Sequence, residues 1–122
     1  MGKKSKRIYI AGPYNPVGAS PHDASRIAQK NVDAAIEIFH RLKAKGHYPF
    51  VPHLSHYLHV SHLCPEDYGA WWYEFDMTFL DHWAEALYFI APSTGASAER
   101  ERAEKNGLDV YCSLEEVPEA KE

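Results

Sequence analysis

The chain has 122 residues, enough for one domain with a real hydrophobic core, and its 45% hydrophobic and 25% charged composition is that of a soluble globular protein. A formal net charge of −4 argues against a general nucleic-acid binder, no apolar run approaches membrane-spanning length, and no secretory signal pattern opens the chain. The two cysteines, Cys64 and Cys112, are too few and too far apart for a disulfide framework or a zinc ribbon, so a reducing cytoplasm is the expected setting.

Lys3, Lys4, Lys6 and Arg7 precede the first apolar residue and read as a solvated basic tail over residues 1–6, ahead of a single domain. Ile8-Tyr9-Ile10-Ala11 is a short buried strand that ends at Gly12-Pro13. A loop rich in breakers, Tyr14 to Ala19, leads to Ser20-Pro21-His22-Asp23. There Ser20 suits a helix cap, Pro21 the first helical position and Asp23 the acid of a capping box. The helix carries Ile27, Asn31, Ala35, Phe39 and Leu42 along one side, joined by Ala28, Val32 and Ile36, and Gly46 stops it. His47 to Val51 reads as a second strand, and Pro49 suits it to a sheet edge.

From Pro65 the pattern is helical again, with Trp72, Phe75, Phe79, Leu80 and Trp83 on one stripe and Asp76 among them. Ala86 to Ala91 is the third and most apolar strand. A turn over Pro92-Ser93-Thr94-Gly95 precedes a helix from about Ala96 to Asn106, ended by Gly107, and Leu108 to Cys112 is a fourth strand. This alternation predicts an α/β, Rossmann-like three-layer sandwich with a mainly parallel four- to five-stranded sheet and right-handed crossovers. Ligands in such sheets bind beyond the carboxyl ends of the strands. The segments there are Gly12 to Ser20, Pro52 to Pro65 and Pro92 to Gly95. The candidates they supply for substrate binding are Gly12, Pro13, Tyr14, His53, Ser93 and Gly95.

Two acids fall where decoration is not expected. Asp76 shares its stripe with tryptophans, phenylalanines and a leucine, so its carboxylate requires either a partner such as a Tyr or Trp donor at the edge of the stripe, or a ligand. In the last helix, Arg100–Glu104 and Glu101–Lys105 suit solvated i,i+4 pairs. Glu99 instead shares a face with Ala96 and Ala103, and so points inward close to a helix N-terminus. His53, His56, His59 and His62 recur every three residues, followed by Cys64. That spacing drifts around a straight helix, so no metal is assigned to it, although a metal-dependent hydrolase is the reading it would support. Trp72, with Tyr57 and Trp71, is either a core aromatic or a surface on which a base stacks.

Ile8-Tyr9-Ile10-Ala11-Gly12-Pro13, then Asp76 ahead of an apolar strand, then Ser93-x-Gly95-x-x-x-Glu99-x-x-x-Ala103, together resemble the nucleoside 2-deoxyribosyltransferase family, including the 2′-deoxynucleoside 5′-phosphate N-hydrolases. The resemblance runs from about residue 7 to 113. It implies cleavage of an N-glycosidic bond, by hydrolysis or base exchange and without a cofactor, with Glu99 attacking C1′, Tyr9 orienting it and Asp76 protonating the departing base. It also implies that Pro52-His53-Leu54 belongs to the pocket wall, that Ser93 favours a 5′-monophosphate over a free nucleoside, and that the protein is a homo-oligomer. The sequence departs from the family at Glu101, where a glycine usually stands close by, and in having only Ser113 to Glu122 after the fourth strand. The competing reading is a non-catalytic nucleotide-binding or sensor module on the same fold. An intact Tyr9–Asp76–Glu99 set favours the enzyme, since a binder has no need of a buried nucleophile.

Overall fold

The computed structural model describes residues 4–13, 20–54 and 70–120. Strand β1 (Arg7–Ala11) is followed by α1 (Pro21–Ala44), β2 (Tyr48–Phe50), a 3-10 turn at Pro52–Leu54, α2 (Ala70–His82), β3 (Ala86–Phe89), α3 (Thr94–Lys105), β4 (Asp109–Tyr111) and a second 3-10 turn at Leu114–Glu116. The strands form one four-stranded sheet in the order β2-β1-β3-β4, and every pairing is parallel. Tyr9 stands opposite Phe50 on one side and Leu87 on the other. The expected Rossmann-like α/β sandwich is present, and Pro49 lies in an edge strand, where its missing N–H costs no central ladder bond.

Alternation along β1 divides the core. Ile8 and Ile10 join Ala35, Leu42, Val51, Ala86 and Tyr88 on the α1 side, while Tyr9 and Ala11 join Met77, Leu80, Leu87, Ala96 and Ala103 on the α2 and α3 side. Helices therefore cover both faces, as a parallel sheet requires. Ile8, Ile10, Leu42, Leu80 and Leu87 are fully buried, and each such side chain contributes roughly 1.5–3 kcal/mol relative to exposure.

Helix ends follow local chemistry. Ser20 caps α1 by accepting the N–H of Asp23 at 3.2 Å, with Pro21 at the first helical position. Gly46 ends it at φ +95°, and a Cβ there would stand 2.3 Å from the carbonyl oxygen of Ala120, so both conformation and space demand glycine. The last helix begins at Thr94 rather than about Ala96. Ser93 accepts the N–H of Ala96 at 3.0 Å and draws Thr94 and Gly95 out of the expected turn into the first helical turn. In α2 the deeply buried positions are Met77 and Leu80. Of the expected stripe, Leu80 is buried as expected, whereas Trp72, Phe75, Phe79 and Trp83 are only half-buried, and Phe50 of the edge strand stacks on Phe79 at 4.2 Å. The shift is one of helix rotation, since α2 is turned by its smaller apolar residues toward the sheet. The expected helix start near Pro65 lies outside the described residues.

Residues after β4 fold back on the same chain. Val117 is buried against the α1 side of the sheet, Lys45 Nζ donates to Val117 O, and Ala120 N donates to Lys45 O at 2.8 Å. No helix among the described residues is long and apolar enough to cross a membrane.

Candidate active site

In the strand order β2-β1-β3-β4 the chain leaves β1 in one direction and β3 in the other. The crevice between their carboxyl ends is the place where this architecture leaves room for a ligand. Ile90 N donates to Ala11 O at 2.8 Å across that crevice, and Gly12 lies so close to Ile90 that an added Cβ would meet its Cδ1 at 3.0 Å. Gly12 is thus small because the two strand ends converge there. His53, almost fully buried in the turn after β2, donates from Nε2 to the carbonyls of Gly12 at 3.2 Å and Pro13 at 3.1 Å. It ties the start of the β1–α1 loop to the end of β2. Burial holds the imidazole below its usual pKa, partly opposed by the two carbonyls, and it remains a neutral donor.

Tyr9 projects from the middle of β1 toward α2 and α3, and its hydroxyl donates to Glu99 Oε2 at 2.5 Å. Burial, with the neighbouring carboxyls of Glu99 and Asp76, pushes the phenol well above its ordinary pKa, so it serves only as a donor to Glu99. Glu99 stands in the second turn of α3, on the face that brings Ala96 and Ala103 against the sheet with almost no exposure. The sequence expectation for this face holds, as do the exposed pairs Arg100–Glu104 at 3.6 Å and Glu101–Lys105 at 3.8 Å. Burial raises the Glu99 carboxyl to about 7, against the Tyr9 hydrogen bond, which lowers it.

Asp76 enters from the first half of α2, which descends from the carboxyl edge of the sheet. It too is raised to about 7, by burial first and by the charge of Glu99 second. Its Oδ1 is buried without a hydrogen-bond partner, and so is the indole nitrogen of Trp72 one helical turn earlier. The two acids differ in one respect: Tyr9 donates to Glu99, while Asp76 Oδ1 has no hydrogen-bond partner, so among the described residues the donor favours ionisation of Glu99 over that of Asp76.

The remaining candidates take varied places. Ser93 is the N-cap of α3; its oxygen accepts from Ala96 N, and among the described residues its hydroxyl donates to no acceptor. A Cβ at Gly95 would meet nothing within 4 Å, so the first turn of α3 is open to close approach. Pro13 is half-buried beside His53. Tyr14, with Tyr57, His56, His59, His62 and Cys64, lies outside the described residues. Among the described residues no three His, Cys, Asp or Glu side chains gather as a metal site.

Two features escaped the sequence reading. Arg102 bonds both oxygens of Asp81, Nε to Oδ1 at 2.8 Å and a terminal nitrogen to Oδ2 at 2.5 Å, and Asn106 adds a bond to Oδ1 at 3.0 Å. This clamp pins α3 to α2 and thereby fixes Glu99 relative to Asp76. Tyr73, half-exposed on α2, acts electrostatically on both Tyr9 and Arg102. Neither carried a signal of its own in the sequence, where Arg102 reads as one more charge on a charged helix. No family model matches the chain, and no curated protein sequence matches it either.

Proposed function

We propose that the protein cleaves the N-glycosidic bond of a (deoxy)nucleoside or its 5′-monophosphate, in the manner of the nucleoside 2-deoxyribosyltransferases it resembles. The observation that carries this reading is the 2.5 Å bond from Tyr9 to a buried Glu99, beside an Asp76 whose buried Oδ1 has no hydrogen-bond partner. A carboxylate oriented by one donor, next to an acid that keeps its proton, is what a two-step displacement at an acetal-like carbon requires.

In the first step a Glu99 oxygen bonds to C1′, the C1′–N bond breaks with its electron pair passing to the base, and Asp76 delivers a proton to that base. In the second, water or another base attacks C1′, the bond to Glu99 breaks, and Asp76 recovers a proton from the attacking group. Tyr9 keeps the spare lone pairs of Glu99 directed and gains strength as a donor whenever the carboxylate is charged. The required protonation state, Glu99 ionised and Asp76 neutral, is most populated near neutrality, because both groups are raised to about 7. The rate is expected to fall toward acid as Glu99 gains a proton and toward alkali as Asp76 loses one.

The deciding experiment is a chromatographic screen of nucleosides and nucleotides for free base, with wild type beside Glu99→Ala. Loss of at least about a thousandfold in base release is expected for a removed nucleophile. Equal release by the two proteins ends the proposal, and release of no base from any substrate would favour the binding-module reading. Adding a second base separates transfer from hydrolysis. Comparing phosphorylated with unphosphorylated substrates tests whether the hydroxyl of Ser93 meets a phosphate. Assembly into a homo-oligomer, which the resemblance implies, is checked by the mass in solution.

A further inference from the structure

On the first turns of α2, Trp72 Nε1 and Asp76 Oδ1 are both buried, both without a hydrogen-bond partner, and four residues apart on one helical face. A buried polar atom with no partner costs about 1–3 kcal/mol, so two such atoms on one face are a pair that folding leaves unsatisfied. The indole is held by its neighbours, with Trp71 at 4.9 Å and Phe75 at 5.8 Å, both nearly at right angles to it. Its ring is therefore fixed by packing, and its one polar atom is not spent on that packing.

We propose that Trp72 Nε1–H and the Asp76 carboxyl together form the recognition edge for the leaving base, and that this edge selects bases carrying a ring carbonyl. The proposal rests on the glycosidase reading of the site and narrows its substrate class. An indole nitrogen is a donor only, so its partner must be an acceptor. Asp76 in its neutral form is also a donor with one acceptor oxygen left over. A ring carbonyl answers both: one lone pair of its oxygen accepts from Trp72, and the other meets Asp76 and takes its proton. The pyrimidine-2-ones present that arrangement next to the glycosidic nitrogen, and the 6-oxopurines present it on the six-membered ring. At C6 adenine carries an amine, a donor that cannot accept from an indole N–H placed for a carbonyl, the kind of mismatch against which polar sites discriminate strongly.

This role differs from stacking. A stacking tryptophan is replaced tolerably by phenylalanine, whereas a donating one is not. The test pairs 2′-deoxyinosine with 2′-deoxyadenosine, as nucleosides and as 5′-monophosphates, since the two bases differ in the exocyclic group at C6. Wild type is expected to favour the oxo compound, and Trp72→Phe to lower that preference by about 10- to 100-fold in kcat/KM. A wild-type preference for adenine, or an unchanged ratio in Trp72→Phe, overturns the proposal.

A second arm needs no turnover. In a Glu99→Gln background, calorimetric binding of free hypoxanthine and uracil is expected to exceed that of adenine, and to weaken by about tenfold with Trp72→Phe. Equal binding of the three bases overturns the recognition edge even if Trp72→Phe folds poorly. Equal base release by wild type and Glu99→Ala would instead sink the glycosidase reading alone, so the two failures are distinguishable.

Discussion

At the amino edge of the sheet the buried imidazole of His47 is bonded through both nitrogens, whereas at the carboxyl edge Asp76 and Trp72 each hold a buried polar atom that meets nothing. His47 Nδ1 accepts from Lys6 N at 3.0 Å and its Nε2 donates to Pro118 O at 2.6 Å, which fixes the neutral tautomer. Around it the charges are spent as well. Lys6 reaches Asp109 at 2.8 Å and the Tyr111 hydroxyl at 2.9 Å, and Arg7 Nε donates to Trp83 O at 2.6 Å. The amino edge also has a concavity of about 500 Å³, lined by Lys4, Lys6, Asp109, Tyr111, Glu116 and Pro118. Its charged groups are already exposed or matched, while the acids at the other edge stay burdened by burial.

The contrast breaks most visibly at Asp76. Asp76→Asn removes the proton donor and keeps the shape, so base release is expected to fall by about 10²–10⁴, with the melting temperature unchanged or higher. A variant that melts earlier and still turns over would place Asp76 with His47, as a residue of the scaffold. The converse change is His47→Ala. It strips two hydrogen bonds from a buried position and leaves a void, which costs about 2–4 kcal/mol of stability on denaturant unfolding. Turnover per folded molecule is expected to stay within twofold of the wild type. A large fall in rate at full folding would mean that the two edges are coupled.

Glu99→Gln gives the smallest effect and the sharpest one. Burial raises the folded-state pKa of Glu99 to about 7, above its unfolded value, so its carboxyl supports folding below the unfolded pKa and loses that contribution as pH rises through about 7. Glutamine escapes this titration. The variant is expected to be more stable than wild type by about 1–3 kcal/mol at pH 8 and nearly equal to it at pH 4, read from unfolding curves at the two values. A gain that does not depend on pH would show that Glu99 is ionised with ease, like the acids on the exposed side of α3.

How much of this was legible in the sequence depends on how far apart the interacting residues lie. The inward turn of Glu99 shows in its spacing from Ala96 and Ala103, because a helical face is a local pattern. The caps at Ser20 and the stop at Gly46 are local for the same reason. Asp76 is placed by its stripe, and Leu80 of that stripe is fully buried, but spacing does not show how far the aromatic positions sink: they stay half-buried while Met77, off the stripe, joins the core. His47 could not be found at all by pattern. Its partners are 41 and 71 residues away, and only the parallel pairing of β1 with β2 and the return of the C-terminal segment bring them to it. The Arg102–Asp81 clamp joins positions 21 apart on separate helices and was hidden in the same way.

The shared imidazole of His47 has a topological consequence. Lys6 and Pro118 contact the same ring from opposite sides, so both chain ends of the described fold lie at one edge of the sheet, and it is the edge away from Glu99. A short polar linker joining them would close the backbone into a circle without passing the crevice. Fusions, immobilisation tags and surface tethers attached at either end would, by the same geometry, leave the crevice facing away from whatever carries the protein.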